Sequence, residues 1–318
     1  MPRYHDVFNG DADGICALHQ LRLAEPREAR LVTGVKRDVR LLARITGEAE
    51  EITVLDVSLA ANRDDLLRLL ATSRVVYIDH HYPGDIPVSE RLVTHIDPAP
   101  EVCTSLIVDR LLQGRFRAWA VVAAFGDNLH APARRAAASL GLSEEQTARL
   151  RELGELMNYN GYGRTVADLH FPPDELYRAV APYEDPFAFL SHAQAPARLR
   201  QGFADDMRRA RAVSPEDIKG IGRLYRLPNA PWARRAVGVL ANEKARERPD
   251  LAHALFVDNG DGTWLVSVRA PLERRRGADE LCRAFPTGGG RQAAAGVNAL
   301  PNDMLDAFRH AFAKTFAP

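Results

Sequence analysis

Short apolar, β-branched runs alternate with helical patterns over the first part of the chain. Strands are predicted near residues 4–8, 31–35, 52–57 and 75–78, and helical patterns lie at 15–23, 39–45 and 63–70. Such alternation predicts a mostly parallel sheet with helices on both faces, and such sheets bind ligands at the carboxyl ends of their strands. We therefore predict an α/β domain over residues 1–140, with later helices near 105–112 and 119–125.

The pattern changes twice beyond residue 140. Residues 141–230 are predicted to form a helical linker or arm, with Ser143 as the N-cap of a helix that ends near Met157. The part from residue 158 to about 230 is rich in Arg, Ala and Pro. Short strands return at 237–240, 254–257 and 264–268, followed by helical patterns at 278–285 and 303–316. A turn signal at Asn259–Gly262 joins the last two strands. This predicts a smaller C-terminal α/β domain over residues 231–318.

Acidic and imidazole side chains cluster where the predicted strands end. They are Asp11, Asp13, Asp56, Asp79, His80 and His81, with Asp127 after an apolar helix. A single Asp at such a position is more often a helix cap or turn residue. An Asp-His-His triplet after a buried strand is harder to explain without a ligand, because buried polar groups need partners. Carboxylates with one imidazole suit Mn²⁺ or Mg²⁺.

Composition limits the classes of function. The 318 residues carry 42 basic and 42 acidic side chains, a net charge of zero, which argues against wholesale coating of long nucleic acid. The three cysteines are scattered, so a disulfide framework or zinc ribbon is not expected. No signal-peptide stretch or membrane-length apolar segment is present in the sequence. We expect a cytoplasmic protein that does not act at a membrane.

The strand-end residues resemble the four motifs of the DHH phosphoesterase superfamily, which includes RecJ exonucleases, nano-RNases and family II pyrophosphatases. The run GGGRQAAAG at residues 288–296 is similar to the GGGH-x-x-AAG signature of the C-terminal domain associated with it. The resemblance implies two Mn²⁺ or Mg²⁺ ions. It assigns Asp11 and Asp56 to one ion, and Asp13, Asp56, His80 and Asp127 to the other. It also implies catalytic roles for Asp79 and His81, with His81 contacting the scissile phosphate.

Two positions depart from the family pattern. Many members have a histidine where this chain has Val7, and the first ion is expected to lose a ligand there. His5 could compensate, although a surface histidine is the simpler expectation. The second departure is Arg291, which replaces a substrate-contacting histidine; arginine suits a terminal phosphate or a base. The resemblance places substrate binding on Arg269, Arg291 and a loop formed by Gly288, Gly289 and Gly290.

We therefore predict a metal-dependent phosphodiesterase or phosphatase that uses two ions to activate water. Its expected substrates are short oligonucleotides or small nucleotides such as 3′-phosphoadenosine 5′-phosphate. A RecJ-type single-strand exonuclease is an alternative, although no added nucleic-acid-binding module is visible in the sequence. A nucleotide-binding protein with a degenerate metal site is another, while a family II pyrophosphatase is disfavoured. A homodimer is an open expectation, because relatives often dimerise.

Overall fold

A computed structural model describes residues 3–218 and 220–317 of the chain. The first part contains a five-stranded sheet in the order β2-β1-β3-β4-β5, with every neighbouring pair parallel. Its strands are β1 (Tyr4–Asn9), β2 (Arg30–Gly34), β3 (Glu51–Leu55), β4 (Arg74–Asp79) and β5 (Leu92–Ile96). The predicted parallel α/β fold is confirmed.

The register of this sheet brings the carboxyl ends of its central strands to one level. Phe8 of β1 pairs with Leu55 of β3, which pairs with Ile78 of β4. The polar residues that follow these three positions along the chain therefore meet at one edge of the sheet.

Helices pack on both faces of the sheet. The α-helices between β1 and β6 are α1 (Ala12–Ala24), α2 (Arg63–Leu70), α3 (Thr104–Leu111), α4 (Arg117–Gly126), α5 (His130–Ser139), α6 (Glu144–Asn160), α7 (Pro173–Val180), α8 (Pro186–His192) and α9 (Gln194–Arg211). Val7 is buried in a core shared with Leu66 of α2. Phe8 points to the opposite face, as successive strand residues do, and its ring lies 5.7 Å from that of Tyr177 in α7.

The chain divides into two compact units, and the boundary differs from the predicted one. The first unit ends at Gln201 and the second begins at Gly202, inside α9. The predicted linker over 141–230 is therefore wrong as a separate element. Helix α6 packs on α4 in the first unit, whereas residues 202–230 belong to the second. Ser143 caps α6 as predicted, through a reciprocal capping box with Gln146.

The second unit is built on a mixed six-stranded sheet in the order β10-β11-β9-β8-β7-β6. Its strands are β6 (Glu216–Ile218), β7 (Gly222–Leu227), β8 (Ala252–Asp258), β9 (Thr263–Arg269), β10 (Gly288–Arg291) and β11 (Ala294–Pro301). Its helices are α10 (Pro231–Glu247), α11 (Ala278–Arg283) and α12 (Leu305–Phe316). One core contains Phe308 and Phe312 of α12, and another contains Val237 and Leu240 of α10.

Several local predictions are corrected by these elements. Residues 237–240 lie inside α10 and do not form a strand, and the predicted helix over 39–45 shortens to a 3-10 turn at Leu41–Arg44. The glycines at 288–290 form edge strand β10 in place of the predicted loop. Strand β5 was not predicted. Among the described residues, no helix is both long enough and apolar enough to cross a membrane.

Candidate metal centre

Asp11 and Asp13 are fixed at the junction of β1 and α1. Asp11 is the N-cap of α1, and its Oδ1 accepts hydrogen bonds from the backbone N–H groups of Asp13 (3.0 Å) and Gly14 (3.2 Å). The carboxylate of Asp13 accepts the N–H groups of Thr104 and Ser105, each at 2.7 Å, at the start of α3. Both carboxyl groups are buried, so their positions are set by backbone contacts before any ligand binds.

Asp56 follows β3 in a backbone conformation that few side chains adopt. Its φ is 57°, in the left-handed region, which costs on the order of 1–3 kcal/mol for a non-glycine residue. Its N–H donates to the carbonyl of Ile78 (3.1 Å), and the hydroxyl of Thr104 donates to its Oδ1 (3.3 Å). These contacts hold the carboxylate at the end of the sheet.

The Asp79-His80-His81 triplet supplies two imidazoles that face different partners. Asp79 Oδ1 accepts the backbone N–H of His80 (2.8 Å) and the ring Nδ1–H of His81 (2.7 Å). His80 Nε2 lies 3.4 Å from Asp56 Oδ1 and 3.6 Å from Asp127 Oδ2. Asp127 directly follows α4, which brings it to the same site. The sequence-predicted metal residues are thus close together in the structure.

The donor set fits a hard divalent ion. One ligand atom from each of Asp13, His80 and Asp127 can be chosen so that all lie within 4.8 Å of one another. A group of Asp56, His80 and His81 satisfies the same criterion. Donors about 2.1 Å from one octahedral ion are roughly 3 Å apart, so small adjustments would allow coordination. The buried Asp79 Oδ2 has no hydrogen-bond partner among the described residues, which leaves further acceptor capacity beside this site.

Crowding of carboxylates perturbs their pKa values. Burial, followed by repulsion from Asp127, raises the pKa of Asp13. Burial, followed by repulsion from Asp13, raises the pKa of Asp56 well above its usual range. The hydrogen bond to Asp79 raises the pKa of His81 despite partial burial. A bound cation would relieve the repulsion among these carboxylates.

Two residues at the site were missed by the sequence analysis. Lys36 follows β2, and its Nζ donates to Asp127 Oδ1 (3.0 Å) and Asn158 Oδ1 (2.8 Å) and forms an ion pair with Asp11 Oδ2. Burial acts to raise the pKa of Asp11, but the ammonium of Lys36 outweighs it and holds that pKa below its usual range. Asn158 lies in the last turn of α6, and its side-chain oxygen contributes to the site.

The possible substitute for the missing family histidine does not lie on the surface. His5 is 2% exposed, and both of its ring nitrogens lack a hydrogen-bond partner among the described residues. Burial lowers the pKa of His5. The expectation of a surface histidine is therefore wrong. Val7, at the position of the family histidine, is fully buried in the sheet core.

Comparisons with solved structures identify the fold. No family model and no curated protein matches the sequence. Among solved structures, the DHH domain of a member of a ribosomal-protein family has a TM-score of 0.64 at 14% identity, covering 98% of this chain and 86% of that one. RecJ in complex with Mn²⁺ from Thermus thermophilus has a TM-score of 0.62 at 17% identity, covering 99% and 52%. The chain has the DHH-domain fold. PggH, a pGpG-specific phosphodiesterase from Vibrio cholerae, has a TM-score of 0.57 at 14% identity, covering 98% of each chain.

The second unit of this DHH-fold chain holds the predicted substrate residues on one sheet. Arg291 of β10 pairs with Ala294 of β11, which pairs with Arg269 of β9. Paired strands are about 4.8 Å apart, so the two arginines lie roughly 10 Å apart on the same face. The Nε–H of Arg269 donates to Asn242 Oδ1 (2.7 Å), whereas Arg291 is exposed.

The structure gives different reasons for glycine at positions 288, 289 and 290. A Cβ at Gly288 would lie 1.8 Å from the carbonyl oxygen of Cys282, and Gly290 has a φ of 138°. Both are explained by the fold alone. A Cβ at Gly289 would have no neighbour within 4 Å among the described atoms. Packing among the described residues therefore does not require glycine at position 289.

Proposed function

We propose that the chain is a metal-dependent phosphoesterase that hydrolyses short nucleotidic phosphoesters. The observation that supports this most strongly is that His80 lies 3.4 Å from Asp56 and 3.6 Å from Asp127, and belongs with Asp13 and Asp127 to one group that could hold a metal ion and with Asp56 and His81 to another. These residues come from four separate places in the sequence, and neighbouring proteins of the same fold bind Mn²⁺. Mn²⁺ is the ion we expect, and Mg²⁺ is the alternative.

The proposed mechanism divides the work between the ion and the protein. A divalent ion held by these side chains would activate water and stabilise charge on the phosphoryl oxygens. Asp79 orients the ring of His81 by accepting its Nδ1–H, which directs Nε2 away from Asp79. The raised pKa of His81 favours its protonated form, in which Nε2–H can donate to a phosphate oxygen or to the leaving group. Asp79 is therefore a positioning residue.

The proposal assigns recognition of the rest of the substrate to the second unit. Arg291 supplies a fixed cation for a terminal phosphate, and Arg269 a second one on the same sheet face. Gly289 leaves the backbone of edge strand β10 accessible to a ligand. Two further facts favour short substrates: the zero net charge of the chain, and the mutual 98% coverage with a pGpG-specific phosphodiesterase of the same fold.

A substrate panel tests this function. Purified protein with Mn²⁺ is incubated with pGpG, a 5′-phosphorylated pentanucleotide, 3′-phosphoadenosine 5′-phosphate, cyclic dinucleotides, pyrophosphate and long single-stranded DNA. We expect hydrolysis of one short class, abolished by EDTA and restored by added Mn²⁺. Preference for long single-stranded DNA would instead favour an exonuclease. Nucleotide binding without hydrolysis of any substrate would indicate a degenerate site.

Two sequence-based expectations remain part of the proposal. A cytoplasmic location agrees with three free, buried cysteines, which need no oxidising compartment. A homodimer is kept as an expectation from the resemblance, and sedimentation of the purified protein would test it.

A further inference from the structure

Lys36 is held as firmly as the proposed metal ligands. Its backbone N–H donates to the carbonyl of Gly161 (2.8 Å), and its own carbonyl accepts the side-chain amide of Asn9 (3.2 Å). These two bonds fix the start of the side chain at the end of the sheet. Only 23% of the side chain is exposed, so Lys36 is packed into the site and is not an exposed surface lysine.

The ammonium of Lys36 has the surroundings of a bound cation. Three oxygens surround Nζ: Asp11 Oδ2, Asp127 Oδ1 at 3.0 Å and Asn158 Oδ1 at 2.8 Å. The ring of Tyr162 lies 5.8 Å from Nζ, within the range of a cation–π contact. An ammonium donates three hydrogen bonds, and these three acceptors match that capacity.

The same contacts occupy the ligand atoms that a second ion would need. Asp11 Oδ1 already accepts two backbone N–H groups, and Asp11 Oδ2 is paired with Lys36. The position from which a family histidine would complete that ion is Val7, which is fully buried and offers no donor atom. Asp127 presents its other carboxylate oxygen, Oδ2, to His80 Nε2 at 3.6 Å, and Asp13, His80 and Asp127 form a group that could hold an ion.

We propose that Lys36 takes the place of one of the two metal ions, so that this chain binds a single divalent ion at Asp13, Asp56, His80 and Asp127. This inference rests on the proposed metal-dependent function and corrects its expected ion count. The Lys36 ammonium supplies a permanent positive charge beside the remaining ion. A lysine charge does not depend on the metal supply, so the first cation position is filled at every Mn²⁺ concentration.

Metal stoichiometry tests this directly. Mn²⁺ binding to the full chain is measured by equilibrium dialysis with elemental analysis, and the bound ion is examined by electron paramagnetic resonance. We expect one Mn²⁺ per chain with the hyperfine pattern of an isolated ion. Two Mn²⁺ per chain with a spin-coupled spectrum would overturn the proposal. No bound Mn²⁺ would instead refute the proposed metal-dependent function itself, so the two failures are distinguishable.

A pair of lysine variants adds a second test. Lys36→Ala removes the ammonium and frees Asp11, so we expect a second Mn²⁺ to bind, more weakly than the first because Val7 supplies no ligand, and spin coupling to appear at high Mn²⁺ concentration. Lys314→Ala, at an exposed position of α12, controls for the general loss of one positive charge and should keep one ion. A Lys36→Ala protein that still binds a single isolated Mn²⁺ would contradict the claim that the ammonium occupies a cation position. If that variant does not fold, the wild-type stoichiometry still decides.

Discussion

Replacement of Asp79 by Asn isolates the contribution of one buried charge to the proposed catalysis. Asp79 is 0% exposed, and its Oδ1 accepts hydrogen bonds from the backbone of His80 and from the ring of His81. Asp79→Asn keeps the side-chain size and an acceptor oxygen but removes the charge. A hydrogen bond to a charged group contributes about 1.5–3 kcal/mol, which corresponds to a decrease in kcat of about 10- to 150-fold.

The pH profile separates this effect from simple structural damage. Because Asp79 raises the pKa of His81, removing its charge lowers that pKa. Protonated His81 is the proposed donor, so activity is lost as pH rises through its pKa. The alkaline limb of the kcat profile should therefore move to lower pH in Asp79→Asn.

The assay is Mn²⁺-dependent hydrolysis of the best substrate from the panel, followed across a pH range of about 5–9 for both proteins. The exposed Asp64→Asn on α2 is the matched control and should keep the wild-type profile. Mn²⁺ binding is measured in parallel, because the reasoning requires the ion to remain bound in Asp79→Asn. An alkaline limb that stays in place, or moves to higher pH, would refute the proposed Asp79–His81 relationship.

Three further predictions concern stability and substrate binding. Burial lowers the pKa of His19 from 6.5 to about 4, so as pH falls the unfolded chain binds a proton at this imidazole before the folded protein does. The free energy of unfolding measured with urea should therefore decrease by about 2 kcal/mol between pH values of about 7.5 and 5. In His19→Gln this decrease should be smaller by about 2 kcal/mol. Gly288→Ala should lower Tm because its Cβ would clash with a backbone carbonyl, whereas Gly289→Ala should keep Tm and raise KM. Arg291→Ala should raise KM about 10-fold or more for substrates with a terminal phosphate, with little change in Mn²⁺ binding.

Each of these has a contrary outcome. Equal pH dependence of unfolding in the wild type and His19→Gln would show that His19 does not contribute the expected proton uptake. An unchanged KM in Gly289→Ala would mean that no ligand approaches this strand closely. For Arg291→Ala, the same KM as the wild type on phosphorylated and unphosphorylated substrates would exclude its proposed role.

The sequence was sufficient to predict the strands that carry the candidate metal centre. Apolar, β-branched runs define β1, β3 and β4, and a parallel arrangement places the residues after them at one edge. Asp11, Asp56 and His80 could therefore be grouped without knowing any distance. The strand predicted at 237–240 failed because this apolar run is the buried part of a longer helical pattern in α10, where Ala233, Ala236, Val237 and Leu240 are buried. A short apolar run fits both the side-chain period of a buried strand and that of a buried helix, so it does not distinguish them.

The role of Lys36 could not be read from the sequence. A lysine after a short strand usually lies in a solvated loop, and nothing local distinguishes this one. Its partners Asp127 and Asn158 lie 91 and 122 residues further along the chain. Only the folded arrangement brings them together. The sequence also did not show that the glycines at 288–290 form a strand. Glycine is unfavourable in strands, and the pairing of these residues with β11 depends on the fold.

The most direct test of the proposed function compares wild-type protein with Asp56→Asn in Mn²⁺-dependent hydrolysis of a 5′-phosphorylated dinucleotide. Asp56 lies 3.4 Å from His80 at the centre of the proposed ligand set, and Asn lacks the charge that holds a divalent ion. We predict that turnover by the wild type requires Mn²⁺ and that Asp56→Asn loses about 100-fold or more of it, together with tight Mn²⁺ binding. Equal, metal-independent hydrolysis by both proteins would contradict the assignment of a metal-dependent phosphoesterase.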